Sequence, residues 1–184
     1  MPSPTVEEIR HRLVIAGSVT DTITGQRIAD AVVEVGEQNL HTQTGEDGSF
    51  YFIDLPTGSY TLNLSVPGSG SRYGTATVPN VTVQNATNGR PIFDPNANVQ
   101  LPPTRLVGQV KRIDNDQPIA NAMIQLRGSE AQTLTDKQGR YVLLGLQAGT
   151  PTIQVSVKGF VTSTQKVTLS PGHSTTANFS LTAS

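Results

Sequence analysis

Acidic and amide side chains are the first residues in this sequence whose types suggest chemistry. One set is Asp21, Asp47 and Asp54, and the other is an Asp-Asn-Asp run at 114–116. Such oxygen ligands hold Ca²⁺ in loops that place an acidic residue at every second position. Neither set has that loop pattern, and the same residue types are common in tight turns. We therefore expect no metal and no cofactor.

Histidine and serine are the other candidates for catalysis. The three histidines are His11, His41 and His173, the first near the N-terminus and the others in predicted turns. No serine stands in the Gly-x-Ser-x-Gly context of a nucleophile elbow. Cysteine is absent, so thiolate catalysis, thiolate metal sites and disulfides are excluded. The sequence therefore predicts no enzymatic activity.

The elements that hold these residues come from a tandem repeat. Residues 17–66 align with 108–157 at a fixed offset of 91, without a gap and with 14 of 50 positions identical. Apolar and polar residues alternate in both copies, as at Tyr60, Leu62 and Leu64, which is typical of strands with one face in water. Turn-forming residues separate the alternating runs. The sequence therefore predicts two all-β domains.

The domain organisation follows from the repeat. We place an N-terminal segment at 1–12, the first β-sandwich at 13–104 and the second at 105–184. A capping-box pattern that begins at Thr5 predicts a short helix over 5–12. The predicted core residues are Val33, Phe50, Phe52, Leu62 and Leu64 in the first domain and Ile124, Tyr141, Leu143, Ile153 and Val155 in the second.

Features present in only one copy are the predicted partner contacts, because folding accounts for the shared pattern. They are the N-terminal segment, a glycine-rich loop at 68–74 and an insertion of 11 residues within 84–96. The predicted contact residues are Val6, Ile9, Arg72, Tyr73, Arg90, Ile92 and Phe93. Aromatic residues and arginine often dominate the binding energy of interfaces. Burial inside their own domain is the alternative for each of these residues.

The motifs of the first copy carry a family resemblance. The succession G-x-V-x-D, T-x-x-D-G-x-F-x-F and L-P-x-G-x-Y-x-L resembles the carboxypeptidase-regulatory-like domain. The second copy resembles the pattern more loosely, with Pro151 in place of the usual tyrosine. The resemblance implies two tandem transthyretin-like β-sandwiches of Ig-like, Greek-key type, similar also to collagen-adhesin B-type domains. It does not imply one function, because such domains are accessory, spacer or binding modules.

Two activities that the resemblance brings to mind are not expected. Transthyretin-like hydrolases place histidines and an arginine in a channel between subunits, and they end in a tail similar to Tyr-Arg-Gly-Ser. The last residues of this sequence do not resemble that tail. Collagen-adhesin domains join a lysine to an asparagine under a buried acid, and Lys111 and Asn178 fall near the right strands. However, the only glutamate of the second copy is Glu130, in a predicted loop, so no carboxyl is expected to shuttle the protons.

Charge and hydropathy exclude further partners. The chain has 13 basic and 14 acidic side chains, a net charge of -1, so broad attraction for nucleic acid or anionic membranes is not expected. No run approaches the ~20 apolar residues of a membrane span. The N-terminus lacks the basic and then apolar pattern of a signal peptide. We expect synthesis in the cytoplasm and incorporation into a particle or an envelope-associated assembly.

Two functions fit these observations. The first is a non-catalytic structural or interaction protein that docks onto protein subunits of a larger assembly, since domains resembling these decorate phage tails and contractile injection machines. The alternative is a carbohydrate- or cell-surface-binding accessory module of a secreted enzyme or adhesin. Sugar sites usually expose aromatic rings, but tryptophan is absent and only Tyr51, Tyr73 and Phe93 are candidates for display. The first function is therefore preferred.

Overall fold

The computed structural model describes residues 11–88 and 90–184, which form two compact units. The described part of unit 1 comprises 11–20, 26–64, 76–88 and 90–100, and unit 2 comprises 21–25, 65–75 and 101–184. Strands dominate both units, which confirms the all-β prediction. The boundaries at 12/13 and 104/105 stay predictions. Within the described ranges, no helix is long and apolar enough to cross a membrane.

The first seven strands form two sheets. The strands are β1 (Leu13–Asp21), β2 (Val32–Val35), β3 (Leu40–Gln43), β4 (Ser49–Ile53), β5 (Gly58–Ser65), β6 (Ala76–Val83) and β7 (Asn98–Leu101). Short 3₁₀ turns lie at Pro67–Ser69 and Pro95–Ala97. One sheet has the order β4-β1-β7 and the other has the order β3-β2-β5-β6. Buried and exposed residues alternate along β4 and β7, as expected for strands with one face on a core.

The next eight strands repeat this plan. They are β8 (Arg105–Arg112), β9 (Met123–Leu126), β10 (Gln132–Leu134), β11 (Arg140–Leu143), β12 (Thr152–Ser156), β13 (Ser163–Lys166), β14 (Ser174–Thr176) and β15 (Phe179–Leu181). The sheets have the orders β10-β9-β12-β13 and β11-β8-β14, and β15 also pairs with β8. Both β14 and β15 run parallel to β8. One apolar cluster draws residues from both sheets, so the two sheets pack face to face as a sandwich.

All ten predicted core residues are buried. Leu62, Ile124, Ile153 and Val155 are completely inaccessible to solvent. The period-two pattern therefore identified the inward faces of the strands correctly in both copies.

Each of the two shared threonines forms hydrogen bonds with main-chain groups of its own repeat copy. Thr135 Oγ1 accepts a hydrogen bond from Ala122 N at 2.9 Å and donates one to Ile119 O at 2.7 Å. Thr44 makes the same two bonds at the same distances in the first copy. Both hydroxyls are buried. Their role is to satisfy main-chain groups in the loop before β2 or β9, which water cannot reach.

The shared glycines mark places where backbones pass too closely for a side chain. A Cβ on Gly108 would lie 1.8 Å from Ala177 O, and one on Gly17 would lie 2.1 Å from Ala97 O. The glycines that follow the hairpin turns, Gly48 and Gly139, both have φ of +70°. The sequence predicted this left-handed conformation at the turns, and the structure confirms it.

Candidate functional site

The candidate metal ligands do not converge. Asp21 Oδ1 accepts hydrogen bonds from the amides of Ile23 and Thr24 in its own turn, at 2.7 and 2.9 Å. Asp47 and Asp54 lie in other loops. Hydrogen bonds from Ser49 lower the pKa of Asp47. A hydrogen bond from the Arg12 amide lowers the pKa of Asp54. Among the residues described, no three His, Cys, Asp or Glu side chains gather at one point. Each carboxylate instead stabilises its local backbone.

The acidic run at 114–116 is also engaged locally. Asp114 forms a bidentate ion pair with Arg112, with N to O distances of 2.9 and 2.7 Å. This pairing lowers the pKa of Asp114 and raises that of Arg112. Asn115 Oδ1 accepts a hydrogen bond from Gln117 N at 3.1 Å. These contacts close the turn after β8.

The structure defines the neighbours of two histidines and of the lysine–asparagine pair. His11 contacts Asp54 on the surface at 2.5 Å, and His173 Nδ1 lies 2.8 Å from Pro171 O. In the pairing of β8 with β15, Lys111 lies opposite Ser180. Asn178 is exposed, and its Oδ1 accepts a hydrogen bond from a main-chain amide at 2.9 Å. This asparagine therefore stabilises the start of β15.

The glycine-rich loop at 68–74 is fixed by hydrogen bonds within unit 2. The Ser71 amide and hydroxyl both donate to Gln147 Oε1 at 2.9 Å. Ser71 O accepts from Thr104 Oγ1 at 2.7 Å, and Arg72 O accepts from Thr104 N at 2.8 Å. Gly74 N donates to Pro102 O at 3.0 Å. The sequence indicated a turn-rich loop here but could not indicate these long-range partners.

The two predicted contact residues of this loop have different environments. The side chain of Arg72 is exposed, whereas Tyr73 is half-buried. Burial raises the pKa of Tyr73, and the negative charge of Asp21 and a hydrogen bond to its carboxylate raise it further. Tyr73 therefore packs partly against the protein beside Asp21. Of the two residues, Arg72 is the one whose side chain a partner could reach.

Arg72 also lies in a groove of about 580 Å³ in unit 2. Arg127 and Glu130 line the same groove, together with residues 145–151. Two guanidinium groups and one carboxylate give this groove a mixed charge. The sequence did not indicate the groove, because its lining comes from three separate segments of the chain.

The insertion presents the other predicted contact residues. Arg90 is exposed, and Ile92 and Phe93 are each 39% exposed. Asp94 fixes the following turn, because its carboxylate accepts hydrogen bonds from Thr82 N and Oγ1 at 2.8 and 2.7 Å. These bonds lower the pKa of Asp94. The insertion is therefore tied to β6 while its two apolar residues remain accessible.

Val6 and Ile9, the remaining predicted contact residues, lie outside the described residues. Most of the predicted helix over 5–12 also lies there, and residues 11 and 12 are not helical. The partner roles of all seven residues stay predictions.

Tyr51 on β4, one of the three aromatic candidates for display, is 63% exposed. The alternation along β4 places it outward. The sequence reasoning missed Ile113 and Val161 in unit 2, which are 62% and 54% exposed. Ile113 and Val161 lie in loops, where no period indicates which side chains are buried.

Comparison with known domains agrees with this architecture. The family model of the carboxypeptidase regulatory-like domain matches residues 14–91 and again 105–182. The chain therefore belongs to the carboxypeptidase regulatory-like domain family and contains two copies of the domain in tandem. This confirms the resemblance seen in the motifs.

Solved structures of low identity also align with the chain. A cohesin–X-dockerin complex from Acetivibrio cellulolyticus aligns with a TM-score of 0.35 and 18% identity over 41% of this chain and 52% of that one. The TIE protein of Bacillus anthracis aligns with a TM-score of 0.42 and 15% identity over 94% of this chain and 34% of that one. A minor pilin of Streptococcus agalactiae aligns with a TM-score of 0.38 and 12% identity over 92% of this chain and 95% of that one. The chain thus spans about half of the first of these structures and a third of the second. No curated protein matches the chain.

Proposed function

We propose that the chain is a non-catalytic interaction module that docks onto protein subunits of a larger assembly. The observation that carries this proposal is a difference between residues common to both repeat copies and residues present in only one copy. The shared threonines and glycines are used inside the sandwiches. The unshared Ile92 and Phe93 expose apolar surface on an insertion that hydrogen bonds hold in place. Apolar side chains on a fixed loop favour a protein partner.

The assembly that we propose is a phage-tail-like contractile injection machine, built in the cytoplasm. Its support is the resemblance of these domains to domains that decorate such machines. Tail-tube and sheath subunits are the expected neighbours in this proposal.

Co-sedimentation tests the proposal. The tagged chain is produced in its own host, and large assemblies are separated on a density gradient. We expect the unaltered chain to sediment with tube and sheath proteins and Phe93→Ala to remain in the light fractions, with an unchanged melting point. Val142→Ala, which truncates an exposed apolar side chain on β11, is the matched control and is expected to sediment normally.

Two results would contradict the proposal. The unaltered chain could sediment alone in every fraction, which would leave it without an assembly. Alternatively, Phe93→Ala could lower the melting point yet sediment normally, which would show that Phe93 only covers its own sandwich.

Carbohydrate binding is the second candidate, and the exposure of Tyr51 favours it. The ring lies on the outer face of β4, two residues from the exposed Ile53. Such a flat apolar surface can stack on a pyranose ring. Pull-down with insoluble polysaccharides tests this candidate. Binding that is lost in Tyr51→Ala would support the candidate, whereas no binding to any polysaccharide would reject it.

A further inference from the structure

The groove in unit 2 lies where the first copy of the repeat carries a tyrosine. At the offset of 91, Pro151 of the groove corresponds to Tyr60. The Tyr60 ring lies over Gly58, where a Cβ would be 3.7 Å from the ring. Its hydroxyl donates a hydrogen bond to Pro56 O at 2.8 Å. Proline has neither an aromatic ring nor a hydroxyl, so the second copy leaves this place open.

The backbone around the two positions follows the same plan. β9 begins and ends at residues that correspond to the ends of β2. After β9, Arg127 N donates to Thr152 O at 2.9 Å, and the corresponding bond of the first copy joins Gly36 N to Thr61 O at 3.0 Å. The strand that follows starts later in the second copy, since β5 begins at Gly58 and β12 begins at Thr152, after the proline. The two sites can therefore be compared residue by residue.

Several residues that line the groove are smaller than their counterparts in the first copy. They are Gly128, Ala131, Gly145 and Ala148, and they correspond to Glu37, Leu40, Asp54 and Thr57. A smaller cavity of about 220 Å³ lies at the corresponding place in unit 1, and Tyr60 lines it. The groove in unit 2 measures about 580 Å³. The replacement of the tyrosine and of these longer side chains accounts for the difference.

The groove combines apolar surface with positive charge. Leu126 and Leu146 line it and are buried, so they form an apolar floor. Arg72, Arg127 and Glu130 are exposed at its rim. Two guanidinium groups and one carboxylate leave a net positive charge, which favours a ligand with acidic groups. An aromatic ring fits the apolar floor and can also stack on a guanidinium group.

The groove also keeps the acceptor that Tyr60 uses in the first copy. Pro56 O corresponds to Gln147 O. The Gln147 side chain is engaged by Ser71, whose amide and hydroxyl both donate to Oε1 at 2.9 Å. The main-chain oxygen of Gln147, in contrast, accepts no hydrogen bond from the residues that the structure describes. This acceptor is therefore available to a hydroxyl group of a ligand.

We propose that this groove binds a tyrosine side chain supplied by a partner protein. The ring takes the place that Tyr60 has in the first copy, and the hydroxyl donates a hydrogen bond to Gln147 O. Acidic residues beside the tyrosine pair with Arg72 and Arg127. Tyrosine suits such a site, because one end of its side chain is apolar and the other forms hydrogen bonds. This inference rests on the proposed interaction function and specifies one of its contacts.

Titration with short peptides tests this binding. The probe is acetyl-Asp-Tyr-Asp-amide, added to the isotope-labelled chain while the amide resonances are followed by NMR. We expect shifts confined to the groove residues at 126–131 and 145–150. The same peptide with phenylalanine should bind about two- to tenfold more weakly, because it lacks the hydrogen bond to Gln147 O. A peptide with lysines in place of the aspartates should bind at least about twofold more weakly, because the ion pairs are lost.

Variants that refill the groove give the sharpest result. Pro151→Tyr gives the second copy a tyrosine of its own, and Ala131→Leu restores the longer side chain of Leu40. Each should weaken binding of the probe at least about tenfold, and the melting point of each variant shows that it is folded. Val142→Tyr is the matched control, because it introduces the tyrosine that the first copy has at Tyr51, on β11 and outside the groove. This control should bind the probe normally.

Four results would overturn the proposal. The probe could leave all resonances unchanged, or the tyrosine and phenylalanine peptides could bind equally well. Folded Pro151→Tyr and Ala131→Leu could both bind the probe like the parent chain. Self-association of the parent chain that Pro151→Tyr abolishes would show that a second copy supplies the tyrosine, which would overturn docking by a different partner.

The titration is independent of the test of the proposed function. It uses the purified chain and a peptide, so it can fail while co-sedimentation with a larger assembly succeeds. Failure of the inference is therefore distinguishable from failure of the proposed function.

Discussion

Replacement of Thr135 by valine isolates the contribution of one buried hydroxyl. Valine has nearly the same shape, so no cavity is expected, but it leaves Ala122 N and Ile119 O without their buried partner. An unsatisfied buried main-chain group costs about 1–3 kcal/mol. The two groups together therefore predict a loss of about 2–6 kcal/mol in the free energy of unfolding. Thr135→Ser keeps both hydrogen bonds, loses one methyl group and should cost about 1 kcal/mol.

Urea unfolding followed by circular dichroism measures both variants. Because Thr44 makes the same two bonds at the same distances, Thr44→Val should destabilise its own unit by a similar amount. The reasoning would be refuted if Thr135→Val cost less than Thr135→Ser, since packing rather than hydrogen bonding would then explain the burial of the threonine.

Further predictions concern packing and pH. Gly108→Ala should cost at least about 1–3 kcal/mol, because the new Cβ would overlap Ala177 O; an unchanged urea midpoint would argue against this backbone contact. Leu62→Ala should cost about 2–5 kcal/mol, because the side chain is completely buried; a thermal melt within a degree of the parent would show that the site relaxes. Hydrogen bonds from Thr82 hold the pKa of Asp94 below its unfolded-state value, so its stabilisation is present above the unfolded-state pKa and is lost as the pH falls through the folded-state pKa. Unfolding curves between about pH 2 and 7 should therefore show a smaller acid loss for Asp94→Asn than for the parent chain, and equal losses would mean that Asp94 contributes nothing.

Much of the fold could be predicted because it depends on local patterns. The alternation at Leu62 and Leu64 records which face of a strand is buried, and Gly48 and Gly139 record turns that need positive φ. The hydrogen-bond partners of the threonines could not be predicted. Those of Thr135 lie 13 and 16 residues away in the chain. A hydroxyl carries no information about which distant main-chain group it will meet.

The candidate surfaces show the same limit. Arg72 and Phe93 were selected because they have no counterpart in the other copy, and the structure places both where solvent reaches them. Tyr73 was selected by the same rule, yet its ring rests partly buried beside Asp21. The difference depends on hydrogen bonds between segments that are far apart in the chain. Those pairings follow from the folded backbone and leave no periodic signal in the sequence.

The parallel pairing of β8 with β14 and β15 has a mechanical consequence. Within unit 2, the last strands β14 and β15 run beside β8 in the same direction. Tension applied between the start of β8 and the end of β15 pulls these neighbours in opposite directions along their length. The hydrogen bonds between them are then loaded together in shear instead of opening one at a time like a zipper. We expect this strand arrangement to make unit 2 resist stretching between these two points.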